Sequence, residues 1–405
     1  MKCAEFFTKQ DEQDIISLRR AIHRHPELGR ELPVTCALVK RELEALGVPY
    51  TEKYCVSSVV GYINYGAKPE TAPVVGAPGH VFTVALRADM DALPIQEEVD
   101  PEFRSEVPGV MHACGHDAHT AMLLIAARAL KRAADAGKLQ VRIKLLFQPN
   151  EEGEDEGAFE MVRRGCLQDV DLVYGQHVQP ELETGKVGIR VGPAQASCHV
   201  HNLIFHGKSA HSTMPQDGHD ALGMAIKAAN DIYMMEAREL SPFALHAIGI
   251  CYLHAGTAHN IIPNIAEMKI NVRTYDDAVD EFITERIRKI AVNSAEELGG
   301  TAEVTDVLTA YVLKNDEIAA KYGRSAVEAV VGAEAITEPP IRMSSEDFSG
   351  FTKVRPGMFL RLGTGNSAKG TTTMAHKGSF TLDEDALMIG ASVLAEIGLQ
   401  EYRVL

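Results

Sequence analysis

Three short apolar runs in the first half of the chain each end in a polar cluster. VFTVAL (81–86) runs into RADMDALP, VRIKLLF (141–147) runs into QPNEEG, and DVDLVYGQH (169–177) ends on a histidine. Apolar runs of this length fit strands buried on both faces. Between the first two lies MHACGHDAHTAMLLIAARAL (111–130), whose second half has the Ala/Leu content of a buried helix. Open α/β sheets place their ligand sites at the carboxyl ends of their strands. The three polar exits are therefore expected to meet, and the fold class is expected to be α/β.

The pattern on either side is consistent with this. Residues 12–24 and 34–46 read as helices separated by HPELG, and 57–63 is a further short apolar segment. From 198 the order changes to strand 198–206, helix 218–236, strands 246–254 and 264–275, helix 277–298 and strand 301–308. That βαββαβ order makes a compact two-layer unit, read here as a domain inserted into the first. A helix resumes at about 313, and after Pro339–Pro340 come MSSEDF, FLRLGTG and a last helix from about 383. The expected division is 1–190 and 309–405 for the first domain, and 191–308 for the insert.

Composition removes several classes. The chain of 405 residues carries a formal net charge of -16 and no dense Lys/Arg block, so no nucleic-acid partner is expected. No apolar run reaches membrane-spanning length, and the amino terminus has no signal-like apolar core. The seven cysteines, at 3, 36, 55, 114, 166, 198 and 251, are odd in number and lack CxxC spacing. A reducing, cytoplasmic location is the expectation.

CGHDAH (114–119) is the densest chemical cluster. Thiolate and imidazole suit zinc and other borderline divalent ions, so Cys114 and His116 are candidate ligands. The same cluster also reads as a helix start capped by Asp117, or as a cysteine nucleophile with His116 or His119 as its base. Glu151 and Glu152 follow a strand, where one carboxylate can bind metal while its neighbour takes a proton; the run 151–156 also reads as a plain acidic loop. Asp89 and Asp91 can ligate metal or fix a ligand imidazole, and Arg87 can instead pair with one of them. His177 closes a strand and His376 sits in a Thr/Lys/Gly loop. In the insert, His211, Asn260 and Arg273 suit an oxyanion and a substrate carboxylate, while Met234 and Met235 read as helix packing.

Taken in order, AIHRHPELG, RADMDALP, GVMHACGHDAHTA, FQPNEEG, GQHV, GKSAHSTMP, GTAHNIIPN, SSEDF, His376 and DEDALMIGA resemble the M20 metallopeptidases. The likeness is greatest to their amidohydrolase branch of hippurate, N-acyl-amino-acid and indole-acetyl-amino-acid hydrolases. The resemblance implies a zinc-peptidase-like catalytic domain with an inserted α+β dimerisation, or lid, domain. It implies two divalent ions, zinc, manganese, cobalt or nickel, with Cys114 bridging, His116 and His177 on one ion, and Glu152 and His376 on the other. Glu151 would be the general base, Asp91 the carboxylate behind the metals, and His211 a residue reaching a partner subunit's site. Asn260 and Arg273 would contact the tetrahedral intermediate and the substrate carboxylate. Asn150 stands where this branch often has Ala, and Lys377 follows His376; neither change removes a ligand. The implied activity is hydrolysis of N-acyl amino acids by a homodimer. A metallo-dipeptidase or carboxypeptidase, a Cys114-dependent hydrolase and a silent binding protein are the alternatives.

Overall fold

The structure is a computed structural model that describes residues 2–66, 69–153 and 157–402. Glu154, Asp155 and Glu156 of the acidic run lie outside the described residues. The chain divides into two compact units. One comprises Met1–Ala194, Lys314–Pro340 and Asp347–Leu405; the other comprises Gln195–Leu313 and Ile341–Glu346.

In the first unit the elements before the second unit are α1 (Lys9–Arg24), α2 (Pro33–Ala45), β1 (Val59–Ile63), β2 (Thr83–Asp89), α3 (His116–Asp135), β3 (Arg142–Gln148) and β4 (Leu172–Glu183). In the second unit come β5 (Cys198–His206), α4 (Ala221–Glu239), β6 (His246–Ala255), β7 (Ile265–Thr274), α5 (Asp277–Glu297) and β8 (Thr301–Ala310). The first unit then resumes with α6 (Glu317–Val331), β9 (Gly357–Gly365) and α7 (Leu387–Gly398).

The first unit is built on an eight-stranded sheet whose centre runs β3, β2, β4, β9. These four strands are mutually parallel. Of these, β2, β3 and β4 are the three apolar runs of the sequence and β9 carries FLRLGTG; every residue of β2 is buried, as expected for a parallel strand covered on both faces. Helix α3 packs against α1 and α7, and Met122 through Ala127 are fully buried. Its apolar character all round is that of a helix inside the core. Helix α1 starts in a capping box, with the Thr8 side chain accepting from the Asp11 amide and the Asp11 carboxylate accepting from the Thr8 amide.

Helix α3 departs from the sequence reading at its start. Its N-cap is Gly115, in a left-handed conformation with φ 93°, and no side chain caps it. Asp117 is not the cap: its carboxylate pairs with Arg19 at 2.8 Å and His23 at 2.7 Å. Glycine is required at 115, because a Cβ there would lie 2.4 Å from Val178 Cγ2. That close approach lets the CGH turn lie against the exit of β4.

The second unit is a four-stranded antiparallel sheet in the order β6, β7, β5, β8. Leu203, Phe205, Met268, Ile270 and Val272 form a core with Met224, Ile232, Met235 and Ile287 of α4 and α5. The two-layer insert has the expected element order. Asp220 and Asp276 cap the two helices. Met235 packs as expected, whereas Met234 is 62% exposed and does not, since adjacent helix positions face different ways.

Candidate metal centre

The three strand exits of the first unit bring their polar residues together. Cys114, His116 and His177 offer ligand atoms all within 4.8 Å of one another, and Cys114, Glu152 and His376 do the same. Cys114 belongs to both groups. Its Sγ lies 3.2 Å from His177 Nε2, and His376 Nε2 lies 3.3 Å from Glu152 Oε1. His116 groups also with Glu151 and Glu152, its Nε2 standing 3.8 Å from Glu151 Oε2.

The backbone orients the imidazoles. His116 Nδ1 donates to the Asp91 carbonyl at 2.8 Å, and His177 Nδ1 donates to the Val178 carbonyl at 2.6 Å. The Nε2 atoms are thereby the ones left to face a metal ion. His116 is fully buried, and its Nε2 has no hydrogen-bond partner among the described residues. A buried polar atom of this kind calls for a ligand or an ion. His376 has φ 65°, and its N–H is held by the Ala113 carbonyl at 2.8 Å. The loop that carries it is thus tied to the residue before Cys114.

Asp91 organises the glutamates. Its two carboxylate oxygens accept the N–H groups of Glu151 and Glu152, each at 3.0 Å. The preceding residue, Asn150, has φ 60°, a conformation that Asn tolerates better than most residues. Beneath this layer Arg87, 1% exposed, reaches Asp89 at 2.6 Å, Asp347 at 3.0 Å and Gln148 at 2.8 Å. Of the two carboxylates offered to Arg87 by the sequence, the structure selects Asp89.

The electrostatics favour cations. Burial pushes the Cys114 thiol well above its ordinary range, and the charges of Glu152, Glu151 and Asp89 push it further. Burial holds His177 well below the usual histidine value. Burial also opposes a charge on His116, but Asp89, Asp91 and Glu152 outweigh it and push that histidine up to about 10. Glu152 is raised by burial but lowered overall by His376 and His116. Carboxylates thus crowd a largely buried site beside one sulfur and three imidazoles, of which His376 is exposed. This donor set fits two borderline divalent ions, which would neutralise the acidic charge and replace the protons on sulfur and imidazole.

The cysteine-nucleophile arrangement is disfavoured. His119 does not face the thiol: its Nδ1 is bound to Asp89 at 2.6 Å and its Nε2 to the Val178 N–H at 3.0 Å. Cys114 Sγ meets the ring of His177 at 3.2 Å, and burial raises the thiol's pKa away from the reactive range.

The remaining candidates lie in the second unit. His211 pairs with Ile261 across a two-stranded ladder, and Ser212 donates to the Asn260 carbonyl at 3.0 Å. His211, on one of these strands, and Asn260, in the turn that leads into the other, therefore lie close together, with His211 exposed. Arg273, near the end of β7, donates to Ser345 Oγ at 2.7 Å and Asn271 Oδ1 at 3.0 Å. The sequence reading missed Gln148 and Asp347 as supports of the centre and gave His119 only the role of a base. For His119 a signal was present: it lies three residues after His116, on the same face of α3.

Comparison with known proteins agrees with this geometry. The chain is 37% identical to thermostable carboxypeptidase 2 of Saccharolobus solfataricus, over 97% of this chain and 96% of that one. It is 34% identical to an IAA-amino acid hydrolase of Arabidopsis thaliana, over 95% and 84%. The crystal structure of a dinuclear metal binding peptidase of the M20 family from Bacillus subtilis superposes with a TM-score of 0.78 at 28% identity, covering 97% of this chain and 98% of that one. The profile of Peptidase family M20/M25/M40 matches residues 85–400. The chain belongs to this family, in its amidohydrolase branch.

Proposed function

We propose that the protein hydrolyses the amide bond of N-acyl amino acids, releasing a carboxylic acid and a free amino acid. The observation that carries this is the pair of ligand groups sharing Cys114, with Glu151 beside them. Cys114 is read as the bridging ligand, His116 and His177 as the further ligands of one ion, and Glu152 and His376 as those of the other. Two divalent ions, when bound, acidify a water and polarise the amide carbonyl.

The protein's own groups do the rest. Glu151 takes the proton of the attacking water and returns it to the leaving nitrogen, so that water is divided between the acid and the amine. Asp91 holds the backbone of Glu151 and Glu152 in place through its two accepted hydrogen bonds. Asn260 and His211, the latter from a second copy of the chain, donate to the oxyanion. Arg273 pairs with the carboxylate of the amino-acid half. A homodimer formed through the second unit is supported by the exposed Tyr233, Met234, Phe243 and Leu245 and by β6, an edge strand. The seven free cysteines support a reducing, cytoplasmic location. No helix among the described residues is long and apolar enough to cross a membrane.

A carboxypeptidase or dipeptidase is the second reading, favoured by the likeness to the archaeal carboxypeptidase. The test is a panel of N-acyl amino acids and free-amine dipeptides, run on chelated protein and again after zinc, manganese, cobalt or nickel is restored. Our reading expects loss on chelation, recovery with metal and preference for the acylated substrates. Strong preference for dipeptides would select the second reading. Full activity in the metal-free chain, abolished by thiol alkylation, would overturn both. Metal uptake with no turnover across the panel would point to a binding protein.

A further inference from the structure

Strand β2 pairs with β4 only as far as Arg87 opposite Gly175. The backbone of β4 continues past that point to the candidate ligand His177, beyond the shared ladder. There the N–H of Val178 is taken by a side chain, His119 Nε2, at 3.0 Å. The other ring nitrogen, Nδ1, lies 2.6 Å from Asp89 Oδ1. An N–H donor facing Nε2 requires a lone pair there, and a carboxylate facing Nδ1 takes its proton, so the hydrogen bonds assign the Nδ1–H tautomer.

Val178 is held by this contact on its N–H side and serves His177 on its carbonyl side. Its C=O accepts from His177 Nδ1 at 2.6 Å, which turns His177 Nε2 toward Cys114 Sγ, 3.2 Å away. The His119 ring also packs edge-on against His177, with centroids 4.7 Å apart. His119 is itself anchored: it is 2% exposed, and Asp89, fully buried, is held from its other oxygen by Arg87 at 2.6 Å. Arg87 in turn reaches Gln148 at the end of β3 and Asp347.

We propose that His119 is a positioning residue for the metal centre. It fixes the Val178 backbone and, through it, the direction in which His177 offers its Nε2. The proposal rests on reading His177 as a metal ligand. Partners at this remove from a metal are worth a measurable part of its affinity, because they orient the ligand and choose its tautomer.

His119→Asn and His119→Gln separate the two contacts. The amide nitrogen of Asn can replace Nδ1 as donor to Asp89 but leaves the Val178 N–H without an acceptor. The amide oxygen of Gln can replace Nε2 as acceptor for Val178 while giving up Asp89. The experiment is a Co2+ titration of dialysed full-length protein, following stoichiometry, affinity and the visible absorption band. The melting temperature of each ion-free variant is recorded alongside.

The parent is expected to take two ions per chain. H119N should bind one of them about 10- to 100-fold more weakly, with an altered band, while H119Q stays within about threefold of the parent at both sites. Parent-like binding of both ions by H119N would overturn the proposal. Equal loss in both variants, tracking a common fall in ion-free stability, would also overturn it by showing a packing role alone. These outcomes leave the metal centre itself standing. A parent that takes up no Co2+ would instead contradict the metal reading, and the role of His119 would fall with it.

Discussion

Replacing Asp91 by Asn tests how the glutamate pair is held. The carboxylate is 1% exposed, and its two oxygens accept one N–H each, from Glu151 and Glu152, at 3.0 Å. Asn retains one acceptor oxygen and points an NH2 group at the second N–H. One charge-assisted hydrogen bond, worth about 1.5–3 kcal/mol, is lost, and the other becomes a neutral bond worth about 0.5–1.5 kcal/mol. The combined loss is roughly 2.5–4.5 kcal/mol. It falls on a turn already carrying a left-handed residue, Asn150 at φ 60°, so the turn has reason to relax. If that energy holds Glu151 and Glu152 in their working positions, D91N should lose about 70- to 2000-fold in kcat/KM. Ion affinity should fall as well, through Glu152. The assay is steady-state hydrolysis of an N-acyl amino acid at saturating metal, with ion affinity measured on the same preparation. D91N within about threefold of the parent in both would refute the reasoning, since even one lost charged hydrogen bond exceeds that.

Arg87→Leu leaves Asp89 and Asp347 without their buried cation, and urea unfolding of the ion-free protein should show a loss of about 3–5 kcal/mol; a change under about 1 kcal/mol would mean that the network relaxes freely. Asp11 has its pKa lowered: burial raises it, but Arg132 and the Thr8 hydrogen bonds more than compensate. Its contribution is therefore present above the unfolded carboxylate value, about 3.9, and is lost as pH falls through the folded value. Asp11→Asn should cost about 1–2 kcal/mol at neutral pH, with the gap to the parent closing in acid; a gap that persists undiminished at low pH would contradict the assignment. His211→Ala should damage turnover while leaving ion stoichiometry unchanged, and normal turnover would remove it from the oxyanion site.

The candidate site was legible where local pattern and chemistry coincide. The runs ending in RADMDALP, QPNEEG and GQH were readable as strands because a parallel strand is apolar on both faces, and their exits were readable because such sheets gather ligands there. The insert was legible from its alternating strands and long helices, and all six elements appear in the expected order. What was not legible depends on distant partners. Asp117 has the residue type and place of a helix cap, yet Arg19 and His23, about a hundred positions earlier, claim its carboxylate. Arg87 meets Asp347 across 260 positions, a separation that no local period encodes. The two-residue strands Tyr50–Thr51, Val187–Gly188 and Ile336–Thr337 are too short to show a period at all.

The central claim is that Glu151 carries the proton while Cys114, His116, Glu152, His177 and His376 hold the metal. Glu151→Gln tests it most directly, with bound ion and turnover measured on one sample. The account predicts two divalent ions per chain, as in the parent, and kcat lower by about 10²- to 10⁴-fold. Turnover close to that of the parent, at full metal occupancy, would contradict it.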